Sequence, residues 1–405
     1  MPSFDLLSTG NEVVSGDIVD TNSAWLCQQF FELGLRPGRL STVGDEFDAL
    51  CQALSEAADR SDVVVVTGGL GPTTDDLSRE VAAKVFGMPL IQDPVALEQI
   101  AARYARVGRP MTSGCYLQAL RPDRAQLLEN PWGTAPGFSV DTGKSVVFFL
   151  PGVPGEMKKM FAASVSPAVQ KRLGLRPRRR HVLRCMGLAE SVANERMAGF
   201  SWPGVVVGYR AAMPEVHVKL ELEPDADGAG PLEDAKNRLG KELFGVDCGP
   251  LEEVVAALLR ERGQTVAVAE SCTAGRLAAA LTVKPGSSAF FLGGSLVYSN
   301  AEKVRACGVD PDVLASEGAV SEIVARQLAE GIRRAVGSDL GIGVTGIAGP
   351  DGGSAEKPVG TVHIAVASAE KTTHRKLLLP GDRERVMRFS VGAALELLRR
   401  CLLST

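Results

Sequence analysis

Thr67-Gly68-Gly69-Leu70-Gly71-Pro72-Thr73-Thr74-Asp75-Asp76 follows the apolar run Asp62-Val63-Val64-Val65-Val66. A short β-branched run of this kind reads as a strand buried on both faces. A glycine-rich turn at its end lets the backbone approach a phosphate closely, with amide N–H groups free to donate. Two adjacent carboxylates then follow in the same loop. Beside a phosphate they make sense as ligands of a divalent cation, because bare carboxylates would repel it. Asp75 and Asp76 are therefore the candidate metal ligands. The competing reading makes the same aspartates caps of a helix over residues 77–86.

Working outward, strand-like and helical stretches alternate from residue 1 to about residue 173. A strand at 4–7 leads through a loop at 8–16 to a helix at about 21–33. A second helix, about 47–58, leads into the 63–66 strand. The apolar run 145–150 ends in Pro151-Gly152-Val153-Pro154-Gly155-Glu156-Met157. This alternation predicts an α/β fold with a mostly parallel sheet flanked by helices. Ligands bind such sheets beyond the carboxyl ends of the strands, where both glycine-rich loops fall. Glu12, Asp17 and Asn22 in the first loop line the same pocket or else cap their own loop. Glu156 is placed to cap its own helix.

Around Arg176-Pro177-Arg178-Arg179-Arg180 the composition turns basic and proline-punctuated, which reads as a solvated connector. Beyond it, residues 215–223 alternate Val216, Val218, Leu220 and Leu222 with His217, Lys219 and Glu221, the period of a half-buried strand. Helices are expected on either side, at 191–198 and 232–243. The result is a small α+β module with a KH-like shape. It lacks the Gly-x-x-Gly clamp that grips RNA backbone and reads as a spacer without chemistry.

After Cys248-Gly249-Pro250 a helix at 251–262 precedes a strand at 265–269 and the turn Glu270-Ser271-Cys272-Thr273-Ala274-Gly275-Arg276. A helix expected at about 274–283 would offer an anion its N-terminus. The same segment carries Lys284-Pro285-Gly286-Ser287-Ser288, Val297-Tyr298-Ser299-Asn300-Ala301-Glu302-Lys303, Val344-Thr345-Gly346 and Pro380-Gly381-Asp382-Arg383. Serines, a tyrosine and a lysine without a nearby histidine suggest Ser/Lys amidohydrolase chemistry rather than a Ser-His-Asp triad. Such a lysine serves as base only when burial or neighbouring cations lower its pKa. Cys272, at a strand-to-helix turn, is a rival nucleophile. Glu302 would raise the lysine pKa if the two side chains met, but helical neighbours point apart.

Composition bounds the function classes. The 405 residues suit two or three domains, with 45% hydrophobic residues and only 5% aromatic. A net charge of −4 supplies no basic field for nucleic acid or acidic membranes. No apolar run reaches the roughly 18 residues of a membrane span. The start, Met1-Pro2-Ser3-Phe4-Asp5, lacks the basic n-region of a signal peptide. The eight cysteines form no Cys-x-x-Cys pair, which predicts reduced thiols in a cytoplasmic protein. The four histidines show no metal-ligand spacing, so zinc is not expected.

Six motifs in order give the chain a resemblance to the CinA family. They are Gly68-Gly69-Leu70-Gly71-Pro72-Thr73 with Asp75-Asp76, Gly133-Thr134-Ala135-Pro136-Gly137-Phe138, the Pro151–Met157 stretch, Glu270-Ser271-Cys272-Thr273, Tyr298-Ser299-Asn300, and Gly346-Ile347-Ala348-Gly349-Pro350-Asp351-Gly352-Gly353. The resemblance implies a molybdopterin-binding-like three-layer α/β/α domain over 1–173, a small α+β connecting domain over 174–248, and an α/β deamidase domain of the PncC type over 249–405. It implies that the last hydrolyses nicotinamide mononucleotide to nicotinate mononucleotide and ammonia without a cofactor. It implies that the first cleaves ADP-ribose to AMP and ribose 5-phosphate with a divalent metal, Mg²⁺, Mn²⁺ or Co²⁺. Carried over by position, Ser288 would be the deamidase nucleophile, Lys303 its base and Tyr298 a proton relay. Ser271, Thr273, Thr345, Gly346 and Arg383 would hold that substrate, Arg383 through its phosphate. Gly68, Gly69, Gly71, Thr73, Asn22, Pro151 and Gly152 would hold the other, with Asp75 and Asp76 on the metal. The expected partners are these two nucleotides and a second copy in a homodimer, with neither nucleic acid nor membrane. Leu117, in Tyr116-Leu117-Gln118-Ala119, stands where family members often carry lysine, which puts the first activity in question. Molybdopterin binding or adenylyl transfer by the first domain, and a non-enzymatic role in competence or recombination, are the alternatives.

Overall fold

The valines of Val63–Thr67 divide between two cores, and that division builds the first layer structure. A computed structural model describes residues 2–404 of the chain. Successive strand residues point to opposite faces. Val63 and Val65 pack with Phe4, Leu26, Phe30 and Phe148 on one face, while Val64 and Val66 pack with Leu7, Leu50, Leu54 and Val147 on the other. All five residues of the strand are buried. Helix Thr21–Glu32 covers the first face and helix Phe47–Arg60 the second. The strand order across the sheet is Arg36–Val43, Ser3–Thr9, Val63–Thr67, Val146–Leu150, Gly137–Asp141, Gln126–Leu128. The first four run parallel, and the last two join antiparallel. This is the three-layer α/β/α arrangement, with an antiparallel edge.

By contacts the chain divides into two compact units, Met1–Arg179 and Arg180–Thr405. The break falls inside the basic stretch. The small α+β segment therefore groups with the C-terminal segment: the Leu251 amide donates to Glu215 Oε1 at 3.1 Å. Its sheet runs Val205–Ala212, Glu215–Leu222, Arg179–Met186, Leu243–Val246. The helix expected to reach residue 243 stops at Leu239. Gly240, at φ +64°, turns the chain out of the helix, and Leu243 and Val246 instead join a strand packed on the module's core.

The last sheet runs Phe291–Leu296, Val266–Glu270, Leu340–Gly346, Thr361–Ala367, Thr372–Leu378. Its first three strands are parallel and the remaining two antiparallel. Val266 and Val268 face helices Leu251–Arg262 and Arg383–Leu403. Ala267 and Ala269 face helix Glu322–Val336. Both halves of the chain thus present loops at the carboxyl ends of parallel strands. All eight cysteines are free thiols, and no described helix is long and apolar enough to cross a membrane.

Candidate active sites

The Gly-rich turn after Val63–Thr67 needs its glycines. Gly68 and Gly69 sit at φ +102° and +66°, and a Cβ on Gly68 would lie 2.6 Å from Thr9 Oγ1. The turn floors a cleft of about 490 Å³, lined also by the loops after Ser3–Thr9 and Val146–Leu150. Gly68, Gly69, Gly71, Asn22, Pro151, Gly152, Asp75 and Asp76 all line it, together with Glu12, Asp45, Gln118 and Glu156. Thr73 does not line it. Its amide and hydroxyl donate to the Asp76 carboxylate, which also accepts from the Gly71 amide at 2.8 Å. Asp76 thereby ties the loop instead of capping the following helix, whose N-cap residue, Leu77, makes no side-chain cap. Asp17 accepts from Ser15 outside the cleft, and Glu156 accepts from Asn130 Nδ2 at 2.7 Å. Leu117 is exposed and does not line the cleft.

No lysine or arginine lines this cleft. Asp20 and Asp45 are acidic lining residues that the sequence did not single out, and Asp20 caps helix Thr21–Glu32 through the Ser23 amide. Burial first, and then the charges of Glu12, Asp75 and Asp76, push the Asp45 carboxyl pKa up, against a hydrogen bond from the Asn11 amide. A pool of mutually repelling carboxylates suits a hard divalent cation. Among the described residues no three such side chains already converge on one point. Mg²⁺-type binding, in which one or two carboxylates and the substrate's phosphates share the ion, does not require such a cluster. Asp45 lies in the loop after strand Arg36–Val43, an exposed edge containing Pro37 and Gly38 that carries little apolar signal to mark where that loop begins.

In the second unit, the turn after Val266–Glu270 brings a different set together. The helix expected from residue 274 begins at Arg276, because Ala274 and Gly275 take positive φ. Nor is its N-terminus open to an outside anion. The fully buried Glu270 carboxylate accepts from the amides of Gly275, Leu277 and Ala278 at 3.0, 3.1 and 2.8 Å. That internal anion fixes the turn carrying Ser271. Lys303 lies on helix Asn300–Cys307, capped by Ser299, and is 1% exposed. Its Nζ lies 3.3 Å from Ser271 Oγ and donates to the carbonyls of Val297 and Tyr298 at 2.8 and 3.4 Å. Burial holds the lysine pKa below its ordinary value. Glu302 turns away and accepts from Arg305 at 2.7–3.0 Å.

Ser271, Tyr298, Lys303, Thr345, Gly346 and Arg383 line one cleft of about 270 Å³. Arg383 donates to the Gly349 carbonyl at 2.9 Å and to the Tyr298 hydroxyl at 3.2 Å. The phenol therefore meets the arginine rather than the lysine. Thr345 donates to the Ala319 carbonyl at 2.8 Å. Thr273 is buried just behind, its hydroxyl without a partner among the described residues. Burial pushes the Cys272 thiol up to about 12, which removes it as a thiolate nucleophile.

Ser288 is not in this group. It is exposed in a short turn, Ser287–Ala289, before strand Phe291–Leu296. The strand runs parallel to Val266–Glu270, and the Val266 amide donates to the Phe290 carbonyl. Ser288 thus stands at the amino ends of the strands and Lys303 beyond their carboxyl ends. Six strand residues separate the two ends by about 20 Å. Within the chain the structure does not bring Ser288, the expected nucleophile, to Lys303; the serine within reach of the lysine is Ser271.

A family model described as "Probable molybdopterin binding domain" matches residues 5–171, and another described as "CinA C-terminal domain" matches residues 249–402. A CinA-like protein of Anaeromyxobacter dehalogenans is 43% identical, over 98% of this chain and 99% of its own. The chain belongs to the CinA family. Another CinA-like protein, from Myxococcus xanthus, is 42% identical over 99% of this chain and 98% of its own. Among solved structures, a CinA of unknown function from Thermoplasma acidophilum is 35% identical, covering 41% of this chain and 97% of its own at a TM-score of 0.39. A competence/damage inducible protein of Agrobacterium tumefaciens is 38% identical, covering 38% and 93% at a TM-score of 0.37. In this CinA-family chain each region matched by a family model holds one of the two clefts.

Proposed function

We propose that the second unit deamidates nicotinamide mononucleotide to nicotinate mononucleotide and ammonia, with Ser271 as nucleophile and Lys303 as base. The observation that carries this reading is the buried Lys303 amine 3.3 Å from Ser271 Oγ. The carbonyls of Val297 and Tyr298 accept two N–H bonds from Lys303 Nζ, so the deprotonated amine would keep its lone pair for the serine hydroxyl. Lys303 takes the Ser271 proton as Oγ bonds to the carboxamide carbon. The resulting ammonium returns a proton to the leaving nitrogen, the C–N bond breaks and ammonia departs. Water then attacks the acyl-serine, giving its proton to Lys303, and nicotinate mononucleotide leaves as Ser271 regains a proton. Arg383, held by Gly349 and Tyr298, is positioned for the nucleotide phosphate.

The first unit is assigned the hydrolysis of ADP-ribose to AMP and ribose 5-phosphate. Asp75 and Asp45 would share a divalent cation there with the substrate's phosphates, and its chemistry would be to neutralise the pyrophosphate charge. The Gly68–Gly71 backbone cradles the phosphates, and Asp76 keeps that loop in shape. Purified protein incubated with each nucleotide, with and without divalent metal, tests both assignments by product chromatography. Metal-independent nicotinate mononucleotide and metal-dependent AMP are expected. Absence of the first product overturns the deamidase, and absence of the second overturns the pyrophosphatase.

A further inference from the structure

A buried arginine stands behind the acidic cleft of the first unit. Arg79, in the first turn of helix Ser78–Phe86, is 2% exposed. Its guanidinium donates to the carbonyls of Leu70 and Gly71, the latter at 3.3 Å, and to no carboxylate among the described residues. Glu80 and Asp76 act on it as charges without bonding to it, and burial pulls its pKa down. Stability alone does not favour this arrangement. A charge taken out of water without a bonded counter-ion is costly, and a cation in the first turn sits at the wrong end of the helix dipole. Nor does holding the turn require a charge. Ser78 already ties it, through its hydroxyl to the Gly68 carbonyl at 2.9 Å and its amide to the Gly69 carbonyl at 3.1 Å.

What the charge faces accounts for it. Leu70 and Gly71 line the cleft, as does Asp76. The peptide between Leu70 and Gly71 is gripped from both sides. Its carbonyl accepts from Arg79, and its N–H, the Gly71 amide, donates to Asp76 at 2.8 Å. The two groups of a trans peptide point in opposite directions, so the guanidinium and the Asp76 carboxylate face each other across that one peptide. The cleft lining carries Glu12, Asp20, Asp45, Asp75, Asp76 and Glu156 and no basic side chain, a field that repels phosphate. A buried positive charge is screened far less than an exposed one and acts through the wall. We infer that Arg79 is the fixed counter-charge of the phosphate site, a positioning residue that touches no substrate atom but offsets Asp76 across the Leu70–Gly71 peptide. The inference rests on the pyrophosphatase reading above and says what lets so acidic a cleft accept a pyrophosphate.

The test measures inhibition of ADP-ribose hydrolysis by the full chain with Mg²⁺, using AMP and the uncleavable α,β-methylene-ADP, which carries more phosphoryl charge. The readout is the ratio of the two inhibition constants. Arg79→Gln keeps a hydrogen-bond donor for the turn and removes the charge. Arg79→Lys keeps a charge that pH can remove. Thermal melts verify that each variant folds. Arg79→Gln is expected to shrink the preference for α,β-methylene-ADP about tenfold. In Arg79→Lys that preference is expected to fade as pH rises from about 7.5 to 10.5, whereas the wild-type ratio stays constant because arginine keeps its proton. A merely structural role would weaken both inhibitors alike and would not titrate. An unchanged ratio in folded Arg79→Gln overturns the inference and leaves the pyrophosphatase reading intact. Should Arg79→Gln fail to fold, a ratio in Arg79→Lys that stays constant over the same pH range overturns it equally. If the wild-type chain neither hydrolyses ADP-ribose nor binds α,β-methylene-ADP, the pyrophosphatase reading falls and this inference with it.

Discussion

Lys303 shows how a single residue trades stability for chemistry. Its amine is buried among carbonyls and a serine hydroxyl, and burial disfavours its charged form. A lysine whose folded pKa lies below its unfolded value costs stability wherever the unfolded chain is protonated and the folded chain is not. Lys303→Met is therefore expected to abolish deamidation while raising stability by about 1–2 kcal/mol, measured by denaturant unfolding. Lys303→Arg should be equally inactive, because a guanidinium stays protonated and cannot act as base. The pH profile follows the same sign. Deamidation kcat/KM should rise with pH until Lys303 is neutral and level off below the ordinary lysine range, whereas a profile flat from pH 5 to 10 would remove the lysine as base. At this scale the sequence disclosed the residue types and most of the partners. It could not separate Ser271 from Ser288. The strand between Ser288 and the lysine, Phe291–Leu296, reads Phe-Leu-Gly-Gly-Ser-Leu, with two glycines and no alternation of apolar with polar residues, so little in its sequence declares an extended segment.

Among the elements, the short helix Arg276–Thr282 depends on a carboxylate from the strand before it. Glu270 occupies the three amides at that helix start, and charge-assisted bonds of this kind are the strong ones. Glu270→Ala is expected to cost about 3–4 kcal/mol and to lower deamidation with it, since the turn it fixes carries Ser271. Glu270→Gln should retain part of both, and an unfolding midpoint unchanged by Glu270→Ala would contradict the account. The same logic of local chemistry explains what sequence reading saw among elements. Helices Thr21–Glu32, Phe47–Arg60 and Leu251–Arg262 and strand Val63–Thr67 carry clear apolar periods and stand where those periods place them. The turn at Ala274-Gly275 and the early stop at Leu239 were hidden, because each depends on positive φ or on a tertiary partner rather than on apolar spacing.

At the scale of the whole molecule, the layers were legible and the distances between ends of strands were not. Alternation of strands and helices implies the layers, but strand order depends on long-range pairing that no local pattern encodes. Long-range pairing also creates the histidine stack on the last sheet. His363 Nδ1 lies 3.0 Å from His374 Nε2, and His374 Nδ1 lies 3.2 Å from Glu322. Burial, and then His374, Lys376 and Lys357, push His363 down to about 4. The unfolded chain takes up that proton below about pH 6.5 and the folded chain does not. Stability should therefore fall as pH drops from 6.5 to 4, by about 1–2 kcal/mol once solvent screening is allowed for. His363→Gln should flatten that stretch of the melting profile. The central claim remains that Ser271 and Lys303 form the reactive pair of the deamidase. Its most direct test compares initial rates of ammonia release from nicotinamide mononucleotide by Ser271→Ala, Ser288→Ala and the wild-type chain. The account predicts that Ser271→Ala loses on the order of a thousandfold or more in kcat, while Ser288→Ala stays within about threefold of wild type. The reverse pattern would contradict it.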